Sequence, residues 1–359
     1  MSLNFKSNAA LKLKKLKEIV GGAKLSLDFR DGEYLLNNTP IDLASAITTT
    51  LTGGGTQPGY YDADGNYFTA SNVGAIISID QTTFKKGLLL ESNPSNLFLN
   101  TANPITREIS INPSVRPGLY ILAVFGSGKA TLYIDNVKIG ESVEGVPCWY
   151  IVPVSPAGAR IARIEIEGSL SHVHFGGATQ PTEPITRAIS PTTTAGKRSA
   201  ILNEINQNVL QQLYSLNQEL CFVIKTSMPN YLVDPAEIGS TTNAVAHIKP
   251  NSADNVYVAR QDSIKRSLVR IVNSNITVLS TAKLSRNTET YAVNFSKELI
   301  KMACGGEVGA NTPVNFIVDA LQIYVGCASS YATNCTQYIE QILVFDRNLT
   351  DEELQLITS

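Results

Sequence analysis

The window "YYDADGNYFTASN" (residues 60–72) sets Asp62, Asp64, Gly65 and Asn66 close together, as a calcium loop would. A helix-loop-helix calcium site needs oxygen ligands at alternate positions, Gly at the sixth and Glu at the twelfth. Counted from Asp62, those two positions hold Tyr67 and Val73, so the spacing fails. Asp-Gly between Tyr60, Tyr61, Tyr67 and Phe68 reads instead as the turn of a β-hairpin. Glu165 and Glu167, alternate residues of "ARIEIEG", have the spacing of paired carboxylates on a glycan-cleaving strand. They share a face with Arg163, opposite Ala162, Ile164 and Ile166, so a solvated outer face is expected. His172 and His174 in "SHVHF" share a strand face but have no cysteine or acidic neighbour to complete a ligand set, and an ordinary surface pair is expected. With His247 as the third and last histidine, a Ser-His-Asp or Cys-His assembly has few candidates. No catalytic residue, metal or cofactor is expected.

Sugar recognition needs less: an exposed aromatic face to stack on a pyranose, and amides or carboxylates to bond its hydroxyls. Trp149 and Tyr150 in "GVPCWYIV" are adjacent, so in a strand they point to opposite faces and one should lie outside. The competing reading has Trp149, the only tryptophan, filling a core.

The elements that must position these residues follow from length and pattern. At 359 residues the chain exceeds what one core usually serves. A formal net charge of −2 gives no basic field for nucleic acid, and the clearest apolar run, "GLYILAVFG", is too short to span a bilayer. Because "LKLKKLKEIV" interleaves lysine with leucine, it does not read as a signal peptide. Five cysteines without CxxC spacing read as mostly buried thiols in a chain made in a reducing compartment, with Cys327 and Cys335 as the one pair that neighbouring strands could join.

Five segments are expected. Residues 1–24 form a basic segment whose helix has Ala9, Leu13, Leu16 and Val20 on one face and stops at Gly21 and Gly22; up to that stop, five lysines against Glu18 give a local charge of +4. Lys12, Leu13, Leu16, Lys17 and Val20 make it a candidate attachment device. Residues 25–103 read as short strands and turns, 104–180 as a small antiparallel module with Asp135-Asn136 between two strands, and 181–198 as a Pro- and Thr-rich linker. Residues 199–359 open with Leu202, Ile205, Val209 and Leu216 at helical spacing, read as a helix packing on its own domain, and continue as many short strands, which argues a two-sheet sandwich. Thr350 and Glu353 have the spacing of a capping box for a terminal helix.

Four pieces, in order, carry a family resemblance. "YYDADGNYFTASN" followed by "GLLLESNPSNLFLN" resembles the N-terminal signature of bacteriophage tail-fibre-like and minor structural proteins, with Gly87, Leu88, Leu89, Glu91, Asn96 and Leu97 at the matching positions. Where that family usually has Arg-Thr, this chain has Pro94 and Ser95. "GLYILAVFGSGKATLYID" resembles the carbohydrate-binding-like sandwich of the same proteins, "GGATQPTEPITRAIS" its exit, and "YIEQILVFDRNLTDEELQLI" the close of a concanavalin-like or laminin-G-like domain. The resemblance implies a mainly β protein of jelly-roll-like modules with a C-terminal concanavalin-like sandwich. It also implies a noncatalytic virion component that contacts other virion proteins and a host-surface glycan, as a homo-oligomer, often a trimer, with the helix around Leu202 to Leu216 near its axis. The rivals are a capsid decoration protein without glycan binding, a glycan-degrading enzyme on the same fold, and a cell-surface lectin.

Overall fold

The computed structural model describes residues 2–52, 59–62, 64, 67–69, 74–79, 85–90, 95–98, 104–111, 119–144, 146, 148–151, 159–178, 196–197, 200–227, 242–261, 265–272, 275–283, 288–326 and 337–359. The chain is mainly β, in antiparallel sheets, with four helices among the described residues: α1 (Ser2–Gly21), α2 (Leu43–Ala46), α3 (Gln207–Asn217) and α4 (Asp351–Thr358). None of these is long and apolar enough to cross a membrane.

Strands with alternating apolar residues stack as two sheets. In the eleven-stranded sheet, Gln337–Phe345 lies between Glu219–Ser227 and Leu25–Asp28; in the seven-stranded sheet, Gln322–Val325 lies between Thr242–Lys249 and Ala200–Ile205. Phe222, Ile224, Val293 and Ile342 from the first sheet share one buried core with Ile248, Val256, Val258 and Ile323 from the second. Each such side chain, fully buried, contributes about 1.5–3 kcal/mol.

Residues 25–103 are not a region apart from this sandwich. Leu25–Asp28 and Lys86–Leu90 both pair with Gln337–Phe345, and Ile47–Thr52 closes the other sheet against Ala200–Ile205. Leu27, Phe29, Ile47 and Leu88 accordingly lie in the same core as Ile224 and Val344. The expected boundaries 25–103 and 199–359 divide one core, because composition marks linkers and is blind to pairing between distant strands. Within the first of these spans the expected hairpin is present: Gly59–Tyr61 pairs with Tyr67–Thr69, and the Asp64 backbone N–H donates to Asp62 Oδ1 at 2.9 Å. Gly65 and Asn66 lie outside the described residues.

The module expected over 104–180 has its own core, built on the long strands Leu119–Ile134 and Arg160–Ala178 of a five-stranded sheet, but the core also takes in Leu97 and Phe98 from before the expected boundary. A second, facing sheet is not among its described residues. Asp135 and Asn136, at φ 49° and 67°, make the tight turn between Ile134 and Val137 that the Asp-Asn pair announced. Ala162 and Ile164 point into the core, whereas Glu165 pairs with Arg163 and Glu167 lies 3.4 Å from Lys129, the solvated face expected of them. His172 and His174 are a correction: they are 0% and 9% exposed rather than on the surface. Their side of the sheet also carries Ile121, Ala123 and Phe125, all buried, with the Phe125 ring edge-on to His172 at 6.1 Å, so both sides of this stretch are covered.

A second correction concerns the helix after the linker. Leu202 and Ile205 belong to the strand Ala200–Ile205, and α3 begins only after Asn206, whose side chain accepts from the Asn208 backbone N–H. Val209, Leu210 and Leu213 then pack into the sandwich core, as expected of a helix that serves its own domain. That apolar side is therefore not offered to a symmetry axis.

The outer face of the eleven-stranded sheet is half apolar and half charged. Leu16, Ile19 and Val20 of α1 pack with Leu354 and Ile357 of α4 over Cys221, Val223, Leu343 and Phe345, and Lys15 reaches Glu352 at 2.7 Å. The attachment stripe splits: Leu16 and Val20 turn inward, while Lys12, Leu13 and Lys17 stay exposed, Leu13 at 55%. Beyond this cluster, a β-bulge opposite Lys225 turns Glu340 into a buried position ringed by Lys85 and Lys225 at 3.2 Å and Arg30 at 3.8 Å, with Asp28 on Arg30 at 3.1 Å. Burial alone would raise the Glu340 pKa, but the Lys225 and Lys85 ammoniums outweigh it and hold it below its ordinary value. Cys148, Cys221 and Cys304 are buried thiols in no disulfide, as expected; Cys327 and Cys335 lie outside the described residues.

The Thr350–Glu353 capping box is present, and Arg347 clamps Glu353 at 2.7 and 2.8 Å. Thr350→Ala should cost about 1 kcal/mol and lower Tm by about 2–4 °C, checked by a thermal melt; an unchanged Tm would mean that α4 does not depend on its cap.

Candidate functional site

In "NAVAHIKP", "DNVYVARQ" and "QIYV", every second residue enters the sandwich core: Ala246 and Ile248, Val256 and Val258, Ile323 and Val325. Alternation therefore puts His247, Tyr257 and Tyr324 on the outer face of the seven-stranded sheet. Register aligns them in one row across five strands, Tyr257 beside His247, then Tyr324, Glu204 and Thr48. The His247 and Tyr257 rings stack with centroids 4.2 Å apart, and the Tyr324 ring stands 5.7 Å from His247. Two residues further along each strand come Asn255, Lys249 and Gln322, Lys249 directly opposite Gln322. His247 and Tyr257 are each 1% exposed and Tyr324 8%, whereas Glu204, Lys249, Asn255 and Gln322 are half-buried. The arrangement is a buried aromatic base with a polar rim.

The rim and base keep hydrogen-bonding capacity unfilled. His247 Nε2 lies 2.9 Å from Asn255 Oδ1, and the Asn255 amide is fixed by donating to the Ala253 carbonyl at 3.2 Å. An amide oxygen only accepts, so this bond assigns the proton to Nε2 and leaves Nδ1 as an acceptor, buried and without a partner. Burial, followed by the nearby Lys249 charge, drives the His247 pKa down to about 4 against the Asn255 bond, so the ring is neutral near pH 7. Glu204 Oε1 accepts from Gln322 Nε2 at 3.1 Å and Gln207 Nε2 at 3.3 Å; Oε2 has no partner and no cation pairs with the carboxylate among the described residues. Lys249 has no acidic partner among them either. Burial, then the Glu204 charge, raises the Tyr324 pKa, which keeps its hydroxyl protonated as a donor. A carboxylate, an ammonium, amides and a phenol on one face can accept from and donate to a ligand rich in hydroxyl or charged groups.

The residues singled out for sugar contact lie elsewhere. Trp149 and Tyr150 sit on the strand Cys148–Ile151, paired with Leu119–Ile134 in the middle module. Tyr150 is half-buried against that module's core; the Trp149 side chain lies outside the described part of the structure. The outer row was missed, although its signal was visible: His, Tyr and Tyr each stand between two core residues in a short strand.

This fold and face define a mainly β protein built on a two-sheet sandwich with a polar–aromatic outer patch. No family model matches the sequence, and no curated protein is similar to it. Among solved structures, the chain is similar to the Ruminococcus gnavus IT-sialidase CBM40 bound to alpha2,3 sialyllactose, with 15% identity over 40% of this chain and 83% of that one, TM-score 0.30. It is also similar to domain 4 of AbnA, an extracellular arabinanase from Geobacillus stearothermophilus, in complex with arabinotriose, with 10% identity over 46% and 77% of the two chains, TM-score 0.33. A heptameric SAP-like pentraxin from Limulus polyphemus gives 10% identity over 40% and 70%, TM-score 0.27.

Proposed function

We propose that this chain is a noncatalytic glycan-binding protein of a bacteriophage particle, whose sandwich takes its ligand on the outer face of the seven-stranded sheet. The observation that carries the reading is the half-buried group Glu204, Lys249, Asn255 and Gln322 beside Tyr324, in which Glu204 Oε2 has no partner among the described residues. The virion assignment rests on the resemblance of residues 60–100 and of the later segments to tail-fibre-like proteins. A noncatalytic role fits the carboxylates: a glycosidase acid must hold its proton near neutrality, whereas cations keep Asp28 and Glu340 ionised and Glu165 and Glu167 sit in ion pairs on solvent.

The test is a glycan array probed with the wild-type chain and with Tyr324→Ala, each first shown to melt cooperatively. Wild type should bind, and the variant should lose about tenfold or more; a wild-type chain that binds no glycan sinks the proposal. Attachment through α1 is tested separately. Leu16, Ile19 and Val20 pack on the sandwich, so a deletion of residues 1–15 removes exposed Lys12 and Leu13 while sparing that contact. The shortened chain should fold and fail to join particles; normal incorporation would remove α1 from the attachment role.

A further inference from the structure

We propose that the outer-face site selects a zwitterionic group, an ammonium joined by a short linker to an anion, carried as a substituent on the glycan; this rests on the glycan-binding reading above. Two opposite charges stand on this face and pair neither with each other nor with any charged group among the described residues: Glu204 and Lys249. Both are half-buried, where an unpaired charge forgoes hydration without regaining a counter-ion. Two inter-strand spacings and two residues separate them, which puts their Cα atoms roughly 12 Å apart and leaves a short gap between two long side chains.

Gln322 holds them apart. It lies opposite Lys249 in the register and donates its amide to Glu204 Oε1 at 3.1 Å. Gln207 donates to the same oxygen at 3.3 Å, so the carboxylate is fixed by neutral donors with Oε2 left open. A ligand ammonium at Oε2 stands beside the Tyr324 ring, since Glu204 and Tyr324 are direct neighbours in register, and gains from the ring's negative face as well as from the carboxylate. The anionic end then faces Lys249, beside Asn255. The polarity of the site is thus fixed, with acceptors toward Glu204 and the cation toward Lys249.

Calorimetric titrations of the full chain with O-phosphoethanolamine, ethanolamine, inorganic phosphate and methyl β-galactoside test this. O-Phosphoethanolamine should bind about tenfold or more tightly than either of its halves. Glu204→Gln, which keeps shape and hydrogen bonding, should reduce it to the affinity of phosphate, and Lys249→Met to that of ethanolamine, with wild-type thermal melts in both. Equal affinities for the zwitterion and its halves would overturn the inference, as would a zwitterion preference that survives both substitutions. Binding of the galactoside with no response to any charged probe overturns the inference and leaves the glycan reading standing. No binding of any of the four, together with a blank array, overturns both.

Discussion

A Val209→Asp chain should fail to form the sandwich. Val209 is 7% exposed and packs, with Leu210 and Leu213, among residues from both sheets, so the substitution drives a carboxylate into a core that offers it no partner. A buried polar or charged group without compensation is among the few changes that reach about 4 kcal/mol or more, a large share of the whole stability of a domain. Urea denaturation and the soluble yield read this directly: the variant should be aggregated or unfolded in buffer, whereas Gln211→Asp, on the exposed side of the same helix, should stay within about 0.5 kcal/mol of wild type. If the Val209 variant instead remained folded and only changed its oligomeric state, α3 would be an association surface after all, contrary to its packing.

Acid should destabilise the protein through His247, and the sign follows from which state takes the proton first. The folded-state pKa is about 4 against an ordinary 6.5, so between those values the unfolded chain is protonated at this residue while the native one is not. Stability therefore rises with pH across that window and falls as pH drops from 6.5 toward 4, by about 3 kcal/mol at the lower end. His247→Gln, which does not titrate, should flatten this part of the profile, seen as a urea midpoint that changes less between pH 7 and 4.5 than that of wild type. Glu353 acts lower: the Arg347 hydrogen bonds hold its pKa at about 2, so its contribution is lost only as pH falls from 4.5 toward 2. Identical midpoint shifts in wild type and His247→Gln would show that the imidazole is not buried as described.

Local features were legible from sequence because short-range chemistry determines them. Asp135-Asn136 took the left-handed turn, Thr350 and Glu353 formed their box, and Ala162 and Ile164 went inward while Glu165 and Glu167 went outward. Reading failed where a distant partner decides. Ala200–Ile205 shares apolar spacing with the helix that follows, and only pairing with Ile47–Thr52 on one side and Gln322–Val325 on the other makes it a strand. His172 and His174 look like surface residues in a half-buried strand, but their face is covered too. The outer row failed for a related reason: alternation marks each of its residues as outward, but Glu204, His247, Tyr257 and Tyr324 come from four separate strands, and only the register makes them neighbours.

The pairing of the two ends of the chain also orders events during synthesis. Asp28 and Gln341, bonded side chain to side chain across neighbouring strands, are 313 residues apart. Ribosomes release a chain from its N-terminus at about 5–20 residues per second, so Leu25–Asp28 waits some tens of seconds for the strand that completes its sheet. The middle module, whose two long strands have only Val137–Val143 and Cys148–Ile151 of the same sheet between them in the chain, can close well before that. During the wait the apolar faces of the early strands stay uncovered, so truncation near the C-terminus should be far more damaging than loss of the α1 tip.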